Sequence, residues 1–372
     1  LIYFDSHSTT KTDPRVIKSM MPYFTEDYGN ASAFHEMGEK ATEAVEKARG
    51  SVAKIIKADP KNIYFTSGAT EANNIVLAGG QWSSIRSSNI EHMSILGFME
   101  EKYYNGKIRV ERDGLIDVNK LEEYIQDEFV WRKVSSLLLT IMAANNEIGT
   151  IQPIKEIRAM SNKYDIIYHT DATQAIGKTP ITVDDADIIT LSSHKIYGPK
   201  GIGAVYISDK IQKDEMLKIR PLTFGGFQET ITSGTLNVPA IVGFGKACEI
   251  LMDEGETENK RVGGLRDRFF SILQNNLSGV RLNGSWEHRL YNNLNISIDD
   301  ISSDALTNIK GLCCSTGSAC KRLGKDRVSH VIEAIGADKN SVRFGFGRFN
   351  TDEEIDIAAQ KIIEVVKEIR NV

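Results

Sequence analysis

The sequence predicts an α/β fold, a larger domain around a mostly parallel sheet with a smaller α+β domain added to it. Three observations carry that prediction. Short runs that are apolar on both faces alternate with segments of helical periodicity through the first two-thirds of the chain, as in a parallel sheet covered on each side. After about Asp253 the texture changes to long amphipathic segments and an alternating strand. The chain has 372 residues, 41% hydrophobic and 26% charged, which suits a folded protein of about two domains. The expected division is a large domain over 14–255 and a small one from 1–13 with 256–372.

The elements follow in order. From Glu36 to Lys57 the apolar residues Met37, Ala41, Ala44, Val45, Ala48, Val52, Ile55 and Ile56 fall at helical spacing. Asp59-Pro60 ends that helix, and Ile63-Tyr64-Phe65 reads as a short buried strand. Ser67-Gly68-Ala69-Thr70-Glu71 turns into a second helix, with a small polar residue placed to cap it. Further strands are expected at Val134–Ala143, Ile166–Thr170, Ile188–Leu191 and Ala204–Ile207, with a helix over Pro153–Tyr164. Asp253 to Glu258 reads as an acidic, Gly-containing entry to a long helix. Asn293–Ile298 reads as a strand with one wet face, and Asp352–Ile369 as a charged amphipathic helix.

Charge and cysteine usage narrow the function classes. Lys and Arg number 45 against 50 Asp and Glu, for a net charge of −5 and a pI near 5.9. That argues against direct nucleic-acid binding, which favours strongly basic chains. No apolar run approaches the roughly 18 residues that cross a bilayer, and no signal peptide is evident. Four cysteines, Cys248, Cys313, Cys314 and Cys320, are too few for a disulfide scaffold, so a cytoplasmic protein with reduced thiols is expected.

Four residues then sit where strands should end. Asp171 follows one strand; Lys195 follows another within Ser192-Ser193-His194-Lys195; Thr70 opens a helix; His92 follows a weaker strand. In an α/β sheet, functional groups gather at the carboxyl ends of strands. Each residue alone has a plainer reading: Asp171 as a turn former, Thr70 as a cap, Lys195 as solvated surface, His92 as surface or core. Together they match what a pyridoxal phosphate enzyme needs. A lysine amine must lose its proton readily, and a carboxylate must keep the pyridine nitrogen protonated. A helix N-terminus must hold the phosphate, and a ring must cover the cofactor.

The chain resembles the NifS/IscS-type cysteine desulfurases of the class V pyridoxal phosphate aminotransferase family. The resemblance lies in Phe65-Thr66-Ser67-Gly68-Ala69-Thr70-Glu71, Asn145-Asn146-Glu147-Ile148-Gly149 and Tyr168-His169-Thr170-Asp171-Ala172-Thr173-Gln174. It continues in Ser193-His194-Lys195-Ile196-Tyr197-Gly198-Pro199-Lys200-Gly201, Ser233-Gly234-Thr235, Ser315-Thr316-Gly317-Ser318-Ala319-Cys320 and Arg343-Phe344-Gly345-Phe346-Gly347-Arg348. These motifs run in family order from about Phe4 to Arg348, nearly the whole chain.

The resemblance implies fold type I and a set of roles. Lys195 is the implied Schiff-base lysine and Asp171 the pyridinium partner. Gln174 and Asn146 are placed at the ring hydroxyl or ring edge, and His92 is stacked on the ring as an acid–base group. Ala69, Thr70, Ser192 and His194 hold the phosphate. Thr235 reaches the phosphate of the other subunit, which implies a homodimer. Arg343 clamps the substrate carboxylate through its planar fork, assisted by Asn30. Cys320 is the implied nucleophile: its thiolate attacks the sulfur of bound L-cysteine, keeps it as a persulfide and releases alanine. Such a thiolate belongs on an exposed loop, and Lys321, Arg322 and Lys325 should lower its pKa. A sulfur-acceptor protein is then expected, serving iron–sulfur clusters, thiolated tRNA or phosphorothioate DNA.

Cys313 and Cys314 lack the Cys-x2-Cys spacing of structural zinc sites and read as small core residues, so no metal is expected. The chain departs from the family pattern at two places. His7 and Ser8, within Phe4-Asp5-Ser6-His7-Ser8-Thr9-Thr10, stand where Asn and Ala are usual, and Lys321-Arg322 replaces Thr-Ser after the nucleophile. Two other functions share the pattern: a selenocysteine lyase, and a sulfur-relay or regulatory subunit without turnover.

Overall fold

The computed structural model describes residues 1–102, 106–132, 136–225, 229–317 and 328–371. Its centre is a seven-stranded sheet. From one edge to the other, the strands are Ile63–Thr66, Gly203–Ile207, Ile188–Ser192, Ile167–Asp171, Leu137–Thr140, Ser84–Ser88 and Lys107–Ile108. Gly203–Ile207 runs antiparallel to both neighbours, and the other pairings are parallel. Six strands therefore end on one rim, at Thr66, Ser88, Ile108, Thr140, Asp171 and Ser192. The five central strands are buried along their whole length, which is why Leu137–Thr140, Ile188–Ser192 and Gly203–Ile207 read as largely apolar runs, whereas Ser84–Ser88 buries three serines and an arginine.

The helix Glu36–Ile55 is held by its 3.6-residue period, which turns Ala41, Val45, Ala48 and Val52 inward. The His35 ring starts it, with Nδ1 accepting from the Gly38 N–H at 3.2 Å. Asp352–Arg370 begins at Thr351, whose hydroxyl accepts from the Glu354 N–H, and ends at Asn371 in the left-handed region.

The expected elements are present, with three informative corrections. The acidic stretch Asp253–Glu258 does not open a helix; it lies inside a single 39-residue helix, Val238–Asn276. Its charges are absorbed there, Glu254 by Arg15 and Glu258 by the Arg348 guanidinium at 2.6 Å. Asn293–Ile298 is a strand but has no wet face, since every residue is buried. Its polar side chains are paired: Asn295 donates to the Glu147 carbonyl at 3.1 Å, and Asn283 donates to both Asn295 Oδ1 and Ser297 Oγ at 2.9 Å. The expected strand from Val134 begins outside the described residues, and its ordered ladder is Leu137–Thr140.

Val342–Gly345, Asn293–Ile298 and Val280–Leu282 form a second, antiparallel sheet. The apolar cluster behind it draws on Ile2 and Phe4 and on residues from Val262 onward. Up to Ile250 the same long helix packs on the larger core instead. Ile2 and Tyr3 pair in parallel with Leu312 and Cys313, and this ties the N-terminus to the later unit.

Candidate active site

A cavity of about 440 Å³ opens at the rim where the strands end. Ala69, Thr70, His92, Asn146, Asp171, Gln174, Ser192, His194, Lys195 and Arg343 all line it. These residues come from segments far apart in sequence and meet because the parallel strands end on one side.

Lys195 closes a short 3-10 turn, Ser193–Lys195, directly after the strand Ile188–Ser192. Its Nζ donates to the carbonyls of His7 at 2.5 Å and Ser8 at 2.7 Å. Neither partner carries charge. Burial of the ammonium, then the neighbouring Arg343 and Lys178, lower its pKa to about 7. The amine therefore gives up its proton near neutrality.

Asp171 ends its strand and is 5% exposed. The Thr173 N–H donates to Oδ1 at 2.9 Å, and Asn73 Nδ2 donates to Oδ2 at 2.8 Å. Asn73 also donates to Ser94 Oγ at 2.9 Å, and that hydroxyl lies 2.9 Å from His92 Nδ1. A hydrogen-bonded chain thus runs from Asp171 to His92. His92 caps the helix Met93–Glu101, its Nδ1 accepting from the Ser94 N–H at 3.1 Å, so the ring proton sits on Nε2. Burial lowers the His92 pKa and keeps the ring neutral. Asn73 and Ser94 had no sequence signal. They lie inside helices, and only packing brings Asn73 to a carboxylate 98 residues away.

The helix Ala69–Gly79 starts with no side-chain cap, against the sequence expectation. Gly68 holds the capping position, and Glu71 folds back to accept from the Ser67 N–H at 2.5 Å. The first turn, Ala69 to Glu71, lines the cavity and has no side chain capping its N–H groups. Ser192 Oγ is buried beside them, without a hydrogen-bond partner among the described residues. An uncapped helix start and an orphaned hydroxyl fit an anionic group such as a phosphate.

Arg343 is 1% exposed. Its Nη2 lies 2.7 Å from Asp5 Oδ1, Ser8 Oγ and Ser315 Oγ, and Nη1 donates to the Asn146 carbonyl at 2.8 Å. Nε has no partner among the described residues. The fork is therefore largely fixed by Asp5, Ser8 and Ser315, none of which the sequence singled out for this task.

Two expected residues, Asn30 and Thr235, do not line the cavity. Asn30 is exposed, and its Oδ1 accepts from the N–H and hydroxyl of Ser32 at 3.0 and 2.8 Å. Thr235 is exposed and lies outside the cavity of its own chain. Cys320, with Lys321, Arg322 and Lys325, lies outside the described residues. Cys313 and Cys314 are half-buried, and burial pushes the Cys314 thiol up to about 12, which makes it a poor nucleophile. Among the described residues no cluster of metal-ligating side chains occurs, and no helix is long and apolar enough to cross a membrane.

Comparison with known proteins adds the family. The model of the class-V aminotransferases matches residues 2–357. The cysteine desulfurase IscS of Anaeromyxobacter sp. (strain Fw109-5) is 40% identical over 387 residues, covering 99% of this chain and 93% of the relative. A solved NifS-like protein superposes with a TM-score of 0.87 at 34% identity, covering 99% of both chains. A structure described as SspA in complex with cysteine gives a TM-score of 0.80 at 32% identity, over 94% of this chain and all of that one. With most of the family's motif residues lining one cavity and the likeness running through nearly the whole length, the chain belongs to the class-V aminotransferases and, within them, to the NifS/IscS-type cysteine desulfurases.

Proposed function

We propose that this protein is a pyridoxal phosphate-dependent cysteine desulfurase that converts L-cysteine to L-alanine and carries the sulfur away as a persulfide on Cys320. The observation that carries the proposal is Lys195: an enclosed amine on two neutral carbonyls, its pKa lowered to about 7, between a held carboxylate and an uncapped helix start. When bound, pyridoxal phosphate supplies an electron sink for the bonds to the substrate's Cα and Cβ.

The chain's own residues do the rest. The Lys195 amine is the point of attachment. Asp171, held by Asn73 and the Thr173 N–H, offers its carboxylate to the ring nitrogen. The N–H groups of Ala69 and Thr70, with the hydroxyls of Thr70 and Ser192 and the His194 ring, hold the phosphate. His92 would cover the ring, with Nε2–H available to a proton in transit, and Gln174 and Asn146 would meet the ring edge. Arg343 holds the substrate carboxylate through the edge at Nε. The Cys320 thiolate bonds to the substrate sulfur as its C–S bond breaks. The carbon takes up a proton, so cysteine and the enzyme thiol become alanine and an enzyme persulfide.

A homodimer completes this reading, with Thr235 serving the partner's phosphate. Phe24, Tyr28, Phe34, Leu222 and Phe224 are exposed near Asn30 and Thr235 in sequence, and such large apolar side chains favour a covering surface. The chain divides within Val238–Asn276, as 14–255 and 1–13 with 256–372. Support comes from the change of core between Ile250 and Val262. A cytoplasmic location and a sulfur-acceptor protein belong to the same reading.

The test incubates the purified, reconstituted protein with L-cysteine and measures alanine and protein-bound sulfane sulfur together. Equal amounts in a single turnover support the proposal. Alanine without bound sulfur, with selenocysteine as the better substrate, would favour a selenocysteine lyase. Neither product would leave a subunit without turnover.

A further inference from the structure

One cavity residue has no task in this scheme. His7 is 1% exposed, and its ring packs against Gln174, 167 residues along the chain. Nδ1 lies 3.0 Å from Gln174 Oε1, and Nε2 lies 3.2 Å from the Asn292 carbonyl oxygen. Both neighbours are acceptors, whereas a neutral imidazole has a single N–H. Burial, with Arg343, Lys178 and Lys195 around it, holds the His7 pKa well below 6.5, so the ring is neutral.

The two contacts are not equivalent. The Asn292 carbonyl already accepts from the Phe346 N–H at 3.0 Å. Gln174 Oε1 has no other donor among the described residues. Nor does its amide gain by turning over, because Nε2 donates to the His7 carbonyl at 3.0 Å. The ring proton therefore belongs on Nδ1.

We propose that His7 is a positioning residue for Gln174: its Nδ1–H and its backbone carbonyl grip both ends of the amide. Gln174 then offers the cavity its second N–H and not its oxygen. A donor at that place stabilises an anionic oxygen on the cofactor ring, whereas an amide oxygen there repels it. The inference rests on the pyridoxal phosphate reading above and adds to it what this chain's own histidine does.

The test follows the absorption band of protein-bound pyridoxal phosphate as pH is raised, in wild type, His7→Ala and His7→Asn. Asp171, Lys178, Lys195 and Arg343 are unchanged in all three, so their charges near the ring stay constant. In His7→Ala the midpoint should move up by about one pH unit, the effect of one lost charge-assisted hydrogen bond. His7→Asn, with an amide N–H to donate to Oε1, should return most of the way to wild type. In a Gln174→Ala background the same His7→Ala change should produce no shift. An unmoved midpoint in His7→Ala, an Asn variant no nearer wild type than Ala, or a shift that persists without Gln174 would each overturn the inference. A wild-type protein that never acquires the band would overturn the cofactor reading itself.

Discussion

The rim cavity and the exposed segments around Asn30 and Thr235 carry motif residues of the same family, yet folding treats them in opposite ways. In the cavity, Lys195 and Arg343 are each held by two or more residues from elsewhere in the chain, while Asn73 reaches Asp171 and His7 reaches both ends of the Gln174 amide. Outside it, Asn30 is exposed and accepts from Ser32 two residues on, and Thr235 is exposed. Phe34 and Phe224, near them in sequence, are 101% and 84% exposed. One region is built by a single chain. The other presents exposed motif residues, which a second copy would cover in the dimer proposed above. The contrast can be broken by changing one residue on each side of it.

The largest effect belongs inside the cavity. Lys195→Ala should lower cysteine turnover by about 10³-fold or more, because the covalent attachment point is lost. Pyridoxal phosphate should no longer be fixed to the protein by borohydride, which mass spectrometry of the treated protein reads directly. A cofactor-sized adduct in that variant would mean that another amine, Lys178 first, does the work. Cys320→Ser should come next. Cofactor binding and the spectral response to cysteine should survive, since both use cavity residues. Protein-bound sulfane sulfur should be absent, because a serine hydroxyl is neither a thiolate nor able to retain sulfur. Persulfide at wild-type rates in Cys320→Ser would move the acceptor role elsewhere.

The cavity side of the contrast was largely legible in the sequence, and the reason is geometric. Strands buried on both faces announce themselves as apolar runs. The residue that ends such a run is then placed at the rim by the parallel sheet, whatever its neighbours. Asp171, Ser192 and Lys195 could be found in that way. Asn73, Ser94 and Ser315 could not, because each acts by meeting a residue from a distant segment and its own surroundings look like ordinary helix or loop. The wet face expected of Asn293–Ile298 failed for a related reason. Its Asn and Ser side chains suggested water, whereas Asn283 and the Glu147 carbonyl supply their partners inside the protein. The acidic run at Asp253 misled because Arg15 and Arg348, which neutralise two of its members, are remote in sequence.

Thr235→Ala tests the outer region and should have a smaller effect. Losing one hydrogen bond to a charged group costs about 1.5–3 kcal/mol, which weakens pyridoxal phosphate retention by roughly ten- to a hundredfold. Mixed dimers carrying Thr235→Ala in one subunit and Lys195→Ala in the other separate the two regions. If Thr235 serves its partner's site, the only site with a working lysine receives an intact threonine from the other subunit, and the remaining site lacks both groups. Equilibrium dialysis should then show full affinity at the site with the working lysine. Weak binding there, as in the Thr235→Ala homodimer, would mean that Thr235 does not cross between subunits.

The smallest effect sharpens the cavity side and concerns Lys178. Its Nζ donates to the carbonyls of Gln174 at 3.0 Å and Lys195 at 3.4 Å, and enclosure lowers its own pKa to about 8. At neutral pH it is largely a cation close to Lys195, and it is among the causes that bring the Lys195 pKa down to about 7. The free amine is the nucleophile, so attachment of pyridoxal phosphate to the ligand-free protein should slow about tenfold for each pH unit below 7 and level off above it. Lys178→Met removes a like charge and should move that shoulder to higher pH by up to about one unit. At pH 6 the variant would then attach the cofactor up to about tenfold more slowly, while at pH 9 the two rates converge. Lys178→Arg keeps the charge and should leave the shoulder in place. Stopped-flow absorbance across the pH range separates this from simple loosening of the turn, which would slow attachment equally at pH 6 and pH 9. A shoulder that stays near 7 in Lys178→Met would leave burial and Arg343 as the causes of the depressed Lys195 pKa, with Lys178 only tying the two carbonyls together.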